Sequence, residues 1–422
     1  MTLKIVHLST WDIEGGAARA AYRQHRALLE AGIDSQMLVR FKDSTDDRVH
    51  TFYPSTNLFH RVKRVTSRYY FKFWRNTFRN QSINNQISGI LNDPRSEILT
   101  ELDNSYFQGD IINVHKVEDF VDLFSLFNFL PKNIPIVVTL HDLGFMTGGC
   151  DYPYQCKQFE KSCGKCPILV SNNINDPSAR IHRWKQQAYK QRIRDRLVFV
   201  ANSHWTLEQA KSSSLLSPYP SRTIHYGLDT KIYNPQKRQI AREALGLPQD
   251  KPILLFSAHN VADERKGGRY IIEVLKTLHI SHAPLIVTFG RGKFPVDNYQ
   301  SFHFGRIDNE KFQSLIYQAA DVFLMPSIEE AFGQTALESV ACGTVVAGFS
   351  SGGITDIVIN GLNGTLVHTA DASLLRNAIV DLLDNESLRQ HWIVKAEDWV
   401  NERFSYRVNA NQYINLYREL LK

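Results

Sequence analysis

Short apolar runs alternate with helical patterns along nearly the whole chain, and this alternation limits the fold more than any other feature. The runs are rich in β-branched residues and apolar throughout, as expected of strands in a parallel sheet that is covered on both faces. Their alternation with helices predicts βαβ units, and therefore an α/β fold with doubly wound sheets. The predicted strands span residues 5–8, 111–114, 136–140, 197–201, 223–226, 253–256, 285–289, 322–325 and 345–347.

The length of the chain and one break in its pattern predict two Rossmann-like domains. A chain of 422 residues is long enough for two or three domains. The predicted boundary lies near Gly227, which permits a turn, and Pro235, which interrupts regular structure. We therefore expect an N-terminal domain at 1–230 and a C-terminal domain at 231–403. A final helix is expected at 404–422.

The composition is that of an ordinary globular protein. Hydrophobic residues make up 43% of the chain and charged residues 22%. The net charge of +6 favours phosphate-bearing ligands or an anionic membrane surface, and it does not require nucleic acid, which we do not expect as a partner. The chain shows neither a secretory signal pattern nor an apolar run of membrane-spanning length. We therefore expect a cytoplasmic protein.

Two glutamates, eight residues apart, flank the predicted start of a helix. Glu330 falls in the loop before this helix and Glu338 falls inside it. The backbone N–H groups of Gly333, Gln334 and Thr335 would lie at the helix N-terminus, which is a favourable place for a phosphate. An acid beside a phosphate site, with a second acid further along the helix, indicates a site for a nucleotide-sugar.

Two other loops carry groups suited to a diphosphate. Gly15 and Gly16 follow the first predicted strand, and glycines there let the backbone approach a ligand closely. This pair lacks the G-x-G-x-x-G pattern, so a dinucleotide site is not predicted. Arg265 and Lys266 follow the strand at 253–256, where adjacent cations can neutralise a diphosphate.

These motifs resemble those of family-4 retaining glycosyltransferases of GT-B fold, and the resemblance covers nearly the whole chain. It implies two Rossmann-like domains that face a cleft, with the last helix crossing back onto the N-terminal domain. It also implies that Glu330 lies by the donor sugar and that Glu338 holds the ribose hydroxyls. The E-x7-E spacing of these two residues is the element that carries the resemblance.

The same resemblance assigns roles to the other loops. Lys266, together with Arg265, would contact the donor phosphates. The Gly15-Gly16 loop would contact the donor diphosphate and the acceptor. The loop at Arg306 and Ile307 resembles the one that packs against the base and reads it through backbone groups.

Two histidines end predicted strands. His115 closes the strand at 111–114, and His141 closes the strand at 136–140 and is followed by Asp142. Ligands of open α/β sheets lie at the carboxyl ends of strands, so these residues are candidates for substrate contact. By resemblance, His115 contacts the transferred sugar or the acceptor. His141 and Asp142 are candidates for the acceptor side, and they lead into a TGGC stretch that resembles a subgroup building bacterial exopolysaccharide and O-antigen chains.

Four cysteines follow closely in the spacing C-x5-C-x6-C-x2-C: Cys150, Cys156, Cys163 and Cys166. In a cytoplasmic chain such a cluster favours a structural zinc site over disulfides, and the x2 pair has the usual metal spacing. The first pair is wider than usual. Reduced loop thiols, or disulfides formed during handling, are the alternatives.

The segment 59–80 contains seven Lys or Arg residues and no acid. Most of these cations recur at spacings of three and four, which predicts a basic stripe along a helix, beside an apolar and aromatic stripe. Such a helix can lie on an anionic bilayer. This pattern predicts peripheral attachment to the membrane; a core-packed helix with a solvated basic face is the alternative.

The sequence thus predicts a retaining glycosyltransferase of the hexosyltransferase type. It would move a sugar from a nucleoside-diphosphate sugar to a saccharide or lipid-linked saccharide in bacterial surface polysaccharide biosynthesis. The chain contains no Asp-x-Asp pair, so we expect no metal cofactor in catalysis. Two alternatives are a non-hydrolysing nucleotide-sugar epimerase and a sugar-nucleotide-binding protein without turnover.

Overall fold

The computed structural model describes residues 3–52 and 108–422, apart from 119, 122, 281, 282 and 297. The chain divides into two compact units. The first comprises Met1–His225 together with Asn409–Lys422, and the second comprises Tyr226–Val408. The basic segment predicted at 59–80 lies outside the described residues.

The first unit is built on a seven-stranded sheet in the order β3-β2-β1-β4-β5-β6-β7, and its strand pairs are parallel. The order reverses direction between β1 and β4, which makes that place the switch point of the sheet. The strands are β1 Lys4–Trp11, β2 Asp34–Phe41, β3 Val49–Thr51, β4 Ile111–Val114, β5 Ile136–Leu140, β6 Leu197–Ala201 and β7 Ser221–Thr223.

The described helices of the first unit connect these parallel strands. Polar caps define two of them, because Asp176 accepts a hydrogen bond from the N–H of Ala179 and Ser203 accepts one from Thr206. The helices are α1 Gly16–Glu30, α2 Leu123–Phe129, α3 Pro177–Tyr189 and α4 His204–Ser212.

The second unit contains a six-stranded parallel sheet in the order β10-β9-β8-β11-β12-β13, with its switch point between β8 and β11. Its strands are β8 Ile253–Asn260, β9 Leu285–Arg291, β10 Ser301–His303, β11 Val322–Met325, β12 Val345–Phe349 and β13 Gly364–Val367. Its helices are α5 Arg238–Leu245, α6 Gly268–Lys276, α7 Glu310–Ala319, α8 Gln334–Ala341, α9 Ala372–Asp384 and α10 Glu386–Phe404.

Each unit has its own apolar core around the central strands. Every residue of β4, β5, β6 and β11 is buried, which explains why these strands are mostly apolar rather than alternating, and the buried polar residues Asn113 and Thr139 are hydrogen-bonded. Helix faces cover the sheets, as Leu375 and Ile379 of α9 do in the second unit. The two sheets confirm the predicted doubly wound α/β fold.

The last helix, α11 Tyr406–Leu420, returns to the first unit and packs there through polar contacts as well as apolar ones. The hydroxyl of Tyr417 accepts hydrogen bonds from Gln24 Nε2 at 3.1 Å and Asn113 Nδ2 at 2.8 Å. Tyr413 lies one turn earlier, with its hydroxyl 3.2 Å from Thr139 Oγ1. None of the helices in the described part of the chain is long and apolar enough to cross a membrane.

The structure corrects one predicted strand and adds others. The strand expected at 223–226 lies at Ser221–Thr223 instead. The apolar residues Ile224 and Tyr226 suggested a strand, but they are buried in the segment that follows it. The sequence analysis missed β2, β3, β10 and β13. These are short or carry polar residues, and β10 is an edge strand with all three residues exposed.

Candidate functional site

Two loops meet at the switch point of the second sheet. One follows β8 and contains a short 3₁₀ turn at Glu264–Lys266, and the other runs from β11 to α8. The N–H of Ile328 donates to the carbonyl oxygen of Arg265 at 2.9 Å, which fastens one loop to the other. Since β8 and β11 are adjacent, their loops project from the same edge of the sheet.

Lys266, Arg265 and Glu330 form a compact charged cluster between these loops. Lys266 Nζ lies 2.5 Å from Glu330 Oε2, and Arg265 Nη1 lies 3.3 Å from the same oxygen. Arg265 also donates to the carbonyl oxygen of Glu329 at 2.7 Å. The two cations therefore share the Glu330 carboxylate, and Arg265 has a second acidic neighbour, since its Nη2 lies 3.8 Å from Asp263 Oδ2.

The surroundings shift the pKa values of this cluster. Burial lowers the pKa of Lys266 below its ordinary value, and the nearby Glu330 limits the decrease. Burial alone would raise the pKa of Glu330, but Lys266 and Arg265 outweigh it and hold this pKa below the ordinary value. Glu330 is thus an ionised counter-ion that fixes the position of the lysine.

Two glycines allow this close approach. Gly267 has φ 73°, and an added Cβ would overlap the carbonyl oxygen of Pro326. Gly352, at φ 55°, lies against the carbonyl oxygen of Glu330 in the same way. The neighbouring Gly353 donates its N–H to that oxygen at 2.8 Å. The loop at 351–353 therefore supports the backbone of Glu330 from behind.

Helix α8 begins where the sequence predicts it. Gly333 precedes the helix with φ 101°, and Gln334 is its first residue. The carbonyl oxygen of Gly333 accepts the N–H groups of Ala336 and Leu337, which are the first bonds of the helix. The N–H groups of Gln334 and Thr335 precede these bonds in the first turn, where an anion is favoured.

Glu338 lies inside α8, whereas Glu330 lies in the loop before this helix. It is buried, and its Oε2 accepts a hydrogen bond from the hydroxyl of Tyr317 at 2.9 Å. That hydroxyl also lies 3.3 Å from Ser257 Oγ on β8. The structure therefore separates the environments of the two glutamates: Glu330 lies between cations, and Glu338 lies beside hydroxyl groups.

The loop at Arg306 and Ile307 is held by local contacts. Arg306 is exposed, and its Nε lies 2.9 Å from Asp308 Oδ1. The carbonyl oxygen of Ile307 accepts a hydrogen bond from Gln313 Nε2 at 2.6 Å. The contacts with Asp308 and Gln313 thus keep the backbone at Arg306 and Ile307 in place.

In the first unit, Gly15 and Gly16 lie at the start of α1, directly after β1. Gly15 has φ 85°, and its carbonyl oxygen accepts the N–H of Arg19 at 3.0 Å. The buried Asp12 holds this loop in place, since its carboxylate accepts the backbone N–H groups of Asp43 and Ser44 at 3.0 and 2.9 Å. The glycine loop therefore lies at the switch point of the first sheet.

His115 is the centre of a chain of three buried histidines. Its Nε2 lies 2.9 Å from His7 Nδ1, and its Nδ1 lies 2.9 Å from His141 Nε2. Burial lowers the pKa of His7 and of His115 well below the ordinary value. Burial, with a contribution from Lys116, lowers the pKa of His141 to about 3. All three rings are therefore neutral at pH 7, and both ring nitrogens of His115 face other histidines.

Next to these histidines lies an acidic cluster that the sequence analysis missed, except for Asp142. Lys116 Nζ lies 2.5 Å from Asp142 Oδ2 and 2.9 Å from Asp151 Oδ2. Burial opposes the charge of Lys116, but Asp142 and Asp151 raise its pKa well above the ordinary value. Burial raises the pKa of Glu118 to about 7. The sequence contained a signal for this cluster, because Lys116 and Glu118 lie just after the carboxyl end of β4, where ligands of open α/β sheets bind.

The four clustered cysteines also lie in the first unit, on the long loop between β5 and α3. All four carry free thiols and line one cavity of about 20 Å³. Cys150, Cys163 and Cys166 are buried, and Cys156 is partly exposed. Burial raises the pKa of both Cys150 and Cys163 to about 12.

Comparisons with known proteins agree with this fold and with the second unit in particular. Residues 237–399 match the family model described as Glycosyl transferases group 1. The chain is 25% identical over 277 residues to a D-inositol 3-phosphate glycosyltransferase from Nocardioides sp., an alignment that covers 60% of this chain and 59% of the relative. The chain spans about three fifths of the length of the curated relatives it matches.

Two solved structures resemble the whole chain. The sucrose-phosphate synthase of Thermosynechococcus elongatus has a TM-score of 0.67 and 18% identity, with 99% of each chain covered. Anabaena HepE in complex with UDP-glucose has a TM-score of 0.67 and 14% identity, with 99% of this chain and all of that one covered. These structural neighbours share the GT-B fold with this chain, and the family match covers residues 237–399, which lie in the second unit.

Proposed function

We propose that this chain is a retaining glycosyltransferase that transfers a sugar from a nucleoside-diphosphate sugar to a saccharide acceptor. The observation that carries the proposal is the cluster of Lys266, Arg265 and Glu330 beside the start of α8. Lys266 and Arg265 place two adjacent cationic donors, which can bind a diphosphate, next to a helix N-terminus that favours the same ligand. Binding of UDP-glucose by the structurally similar Anabaena protein supports this class of donor.

Each candidate site residue of the second unit has a role in this proposal. Lys266 and Arg265 stabilise the diphosphate, both when the donor binds and when the diphosphate departs. Glu330 holds Lys266 in position and accepts hydrogen bonds from the donor sugar. Glu338, in its neutral polar surroundings beside Tyr317, accepts hydrogen bonds from the ribose hydroxyls. The backbone at Arg306 and Ile307 contacts the base.

The first unit supplies the acceptor side. As the resemblance implies, the Gly15-Gly16 loop would contact the donor diphosphate and the acceptor, and His141 and Asp142 would bind hydroxyl groups of the acceptor. We assign His115 a positioning role rather than a direct hydrogen bond to the sugar, because both of its ring nitrogens face histidines and it fixes the orientation of His141. The acceptor proposed is a saccharide or a lipid-linked saccharide of bacterial surface polysaccharide, consistent with the TGGC stretch and the basic segment 59–80.

The reaction proposed proceeds on one face of the donor sugar. The oxygen of the acceptor hydroxyl forms a bond to C1 as the bond from C1 to the phosphate oxygen breaks, and the electron pair of that bond stays on the diphosphate. The acceptor proton passes to the departing phosphate. No other carboxylate is placed by motif as the nucleophile of a double displacement, and no catalytic metal is invoked. The product keeps the configuration of the donor.

The test is turnover of defined donors. The full chain is incubated with UDP-, GDP- and ADP-sugars, with and without a mixture of saccharide and polyprenyl-linked saccharide acceptors, and release of nucleoside diphosphate is measured. Acceptor-dependent release supports the transferase. A changed sugar that remains attached to its nucleotide would identify an epimerase, and tight binding without turnover would identify a non-catalytic protein.

The configuration of the product tests the mechanism separately. An α-linked nucleotide-sugar should yield an α-glycoside, which the coupling constant of the anomeric proton reports by NMR. Replacing Glu330 with alanine should lower turnover far more than replacing Glu338, because only Glu330 contacts the reacting sugar in this proposal. An inverted product would overturn the one-face mechanism while leaving the transferase assignment intact.

A further inference from the structure

The loop between β5 and α3 is long for a connection inside a compact unit. Residues 141–176 contain two short 3₁₀ turns and, within this fully described stretch, no strand or α-helix. Its apolar support at the far end is a small cluster in which Cys166 and Leu169 pack against Ile181 of α3. The first part of the loop is anchored in the main core of the unit by Leu143, Phe145 and Met146. The later part, which carries three of the cysteines, packs on the smaller cluster, and a further bond there would offset part of its conformational entropy.

The four cysteines of this loop converge on one place. Their side chains line the same cavity of about 20 Å³, enough space for about one water-sized atom. Cys150 comes from the first part of the loop, Cys156 from the middle, and Cys163 and Cys166 from a tight turn before α3. The cavity therefore joins three separated parts of one loop.

The turn from Cys163 to Cys166 has an unusual backbone and receives hydrogen bonds at its sulfur atoms. Cys163, Gly164 and Lys165 all have positive φ, at 53°, 97° and 47°. The backbone N–H of Gly148 donates to Cys163 Sγ at 3.2 Å. The backbone N–H groups of Leu169 and Ile168 act on Cys166 to lower the pKa of its thiol, against the larger effect of burial. Backbone donors aimed at sulfur stabilise a thiolate, which is the form that binds metal.

The surroundings hold this turn rigidly. The N–H of Cys166 donates to Asp176 Oδ2 at 2.8 Å, and Asp176 is also the N-cap of α3. The N–H of Gly164 donates to Ser178 Oγ at 3.0 Å. The turn that carries Cys163 and Cys166 is thus attached to the start of α3.

A cation accompanies the sulfurs. Lys185 of α3 interacts electrostatically with Cys150 and Cys163, and it donates to the carbonyl oxygen of Thr147 at 3.1 Å. Four thiolates around a divalent ion would carry a net charge of −2, so a neighbouring ammonium group reduces the cost of burying that charge. This lysine has no role in the proposed transfer reaction.

We propose that Cys150, Cys156, Cys163 and Cys166 bind one structural Zn²⁺ ion that fastens the loop between β5 and α3. Four thiolates without an open position match a closed structural zinc site. Each thiol gives up its proton to the solvent on binding.

Among these four described residues, no three sulfur atoms lie within 4.8 Å of one another. A tetrahedral site with Zn–S distances of about 2.3 Å requires sulfur separations of roughly 3.8 Å. The loop therefore contracts around the ion when it binds, and Cys156, the most exposed member, has the greatest freedom to move inward.

The site would also order residues that the proposed function uses. Cys150 directly precedes Asp151, whose carboxylate lies 2.9 Å from Lys116 Nζ. Asp142, on the same loop, binds that lysine too. Fixing the loop with an ion would hold both carboxylates beside His141. The zinc site does not depend on the reaction, however, and its test needs no turnover.

The test is metal content of the full chain, purified from zinc-supplemented culture without chelator. Mass spectrometry of the metals should find about one Zn per chain. The variant Cys163→Ser should lose it, and Cys342→Ser, which changes the buried cysteine of the second unit, should retain it. A wild-type protein without zinc, or a Cys163→Ser variant with full zinc, would overturn the proposal.

Two measurements on the wild-type protein cover the case in which the serine variant fails to fold. Binding of Co²⁺ should give thiolate-to-metal charge-transfer absorption, which Zn²⁺ then abolishes. Alkylation in denaturant with chelator and without reductant should modify all five cysteines. Modification of three or fewer would mean disulfides, and a stoichiometric iron content would mean an iron–sulfur cluster; either result contradicts a zinc site.

Discussion

At the scale of single residues, Lys266 illustrates how a buried cation can be kept available for a ligand. Its ammonium group is largely buried, and its partner Glu330 is shared with Arg265. Arg265 is held by Asp263 as well, whose Oδ2 lies 3.8 Å from its Nη2. Both cations lie next to the start of α8, so a diphosphate that binds there would meet two cationic side chains and a helix N-terminus.

Replacing Lys266 with alanine should weaken binding of a nucleoside diphosphate by about tenfold or more, because a charged hydrogen bond contributes roughly 1.5–3 kcal/mol. Isothermal titration with UDP and GDP measures the change. Lys276→Ala, at an exposed position in the last turn of α6, is the matched control and should bind as the wild type does. Equal affinity in the two variants would contradict the donor site.

At the scale of elements, the site depends on two loops that touch through a glycine. Gly267 combines a left-handed φ of 73° with direct packing on the carbonyl oxygen of Pro326. Gly246, which ends α5 with φ 65°, has nothing within 4 Å of an added Cβ. Comparing alanine variants of these two glycines therefore separates the effect of the left-handed backbone conformation from the effect of close packing.

Gly267→Ala should therefore lower the free energy of unfolding more than Gly246→Ala, which is expected to cost roughly 1 kcal/mol for the left-handed conformation alone. Gly267→Ala should also weaken binding of the nucleoside diphosphate, because it moves the loop of Lys266 away from Glu330. Urea unfolding and titration calorimetry measure these two effects. If both alanine variants were equally stable and bound the nucleotide equally well, the contact between the loops would not matter for the site.

The last helix offers a second prediction at this scale. Tyr417→Phe removes the acceptor of two buried amide donors, on Gln24 and Asn113. We expect it to lower the free energy of unfolding by about 1–3 kcal/mol, the cost of leaving buried donors unsatisfied. Tyr413→Phe should cost less, because Thr139, its partner, keeps a hydrogen bond to Asn113. Urea unfolding of both variants checks the order.

At the scale of the whole molecule, buried neutral histidines make stability depend on pH. The pKa of His141 is lowered to about 3 and that of His25 to about 4, while those of His7 and His115 lie well below the ordinary value; burial is the main cause for all four. Below about pH 6.5 these histidines take up protons in the unfolded chain but not in the folded one. Acidification therefore favours unfolding.

We expect each such histidine to lower the free energy of unfolding by roughly 1.4 kcal/mol between pH 7.5 and 5.5. Glu118, whose pKa burial raises to about 7, acts in the opposite direction below that pH and reduces the net loss. Urea unfolding at both pH values measures the difference for the wild type and for His141→Gln, which should lose less. His368→Gln, at an exposed position, should behave as the wild type, and an unchanged pH dependence in His141→Gln would contradict the buried neutral state.

The amino-acid sequence by itself determined the central strands and the helix α8, which contains Glu338. The strands at 111–114, 136–140, 197–201 and 322–325 were predicted with their observed bounds, because a strand buried on both faces is mostly apolar along its whole length. The start of α8 was equally visible, since Gly333 marks it. Edge strands such as β10 escaped prediction, because exposed residues leave no apolar pattern to detect.

Only the tertiary structure decided which candidate residues meet. Lys266 and Glu330 are separated along the chain, and they form an ion pair because β8 and β11 are neighbours at the switch point. The stack of His7, His115 and His141 arises in the same way from adjacent strands β1, β4 and β5. Sequence patterns report the burial and conformation of each segment, whereas contacts between segments follow from the order of strands in the sheet, which local physics does not specify.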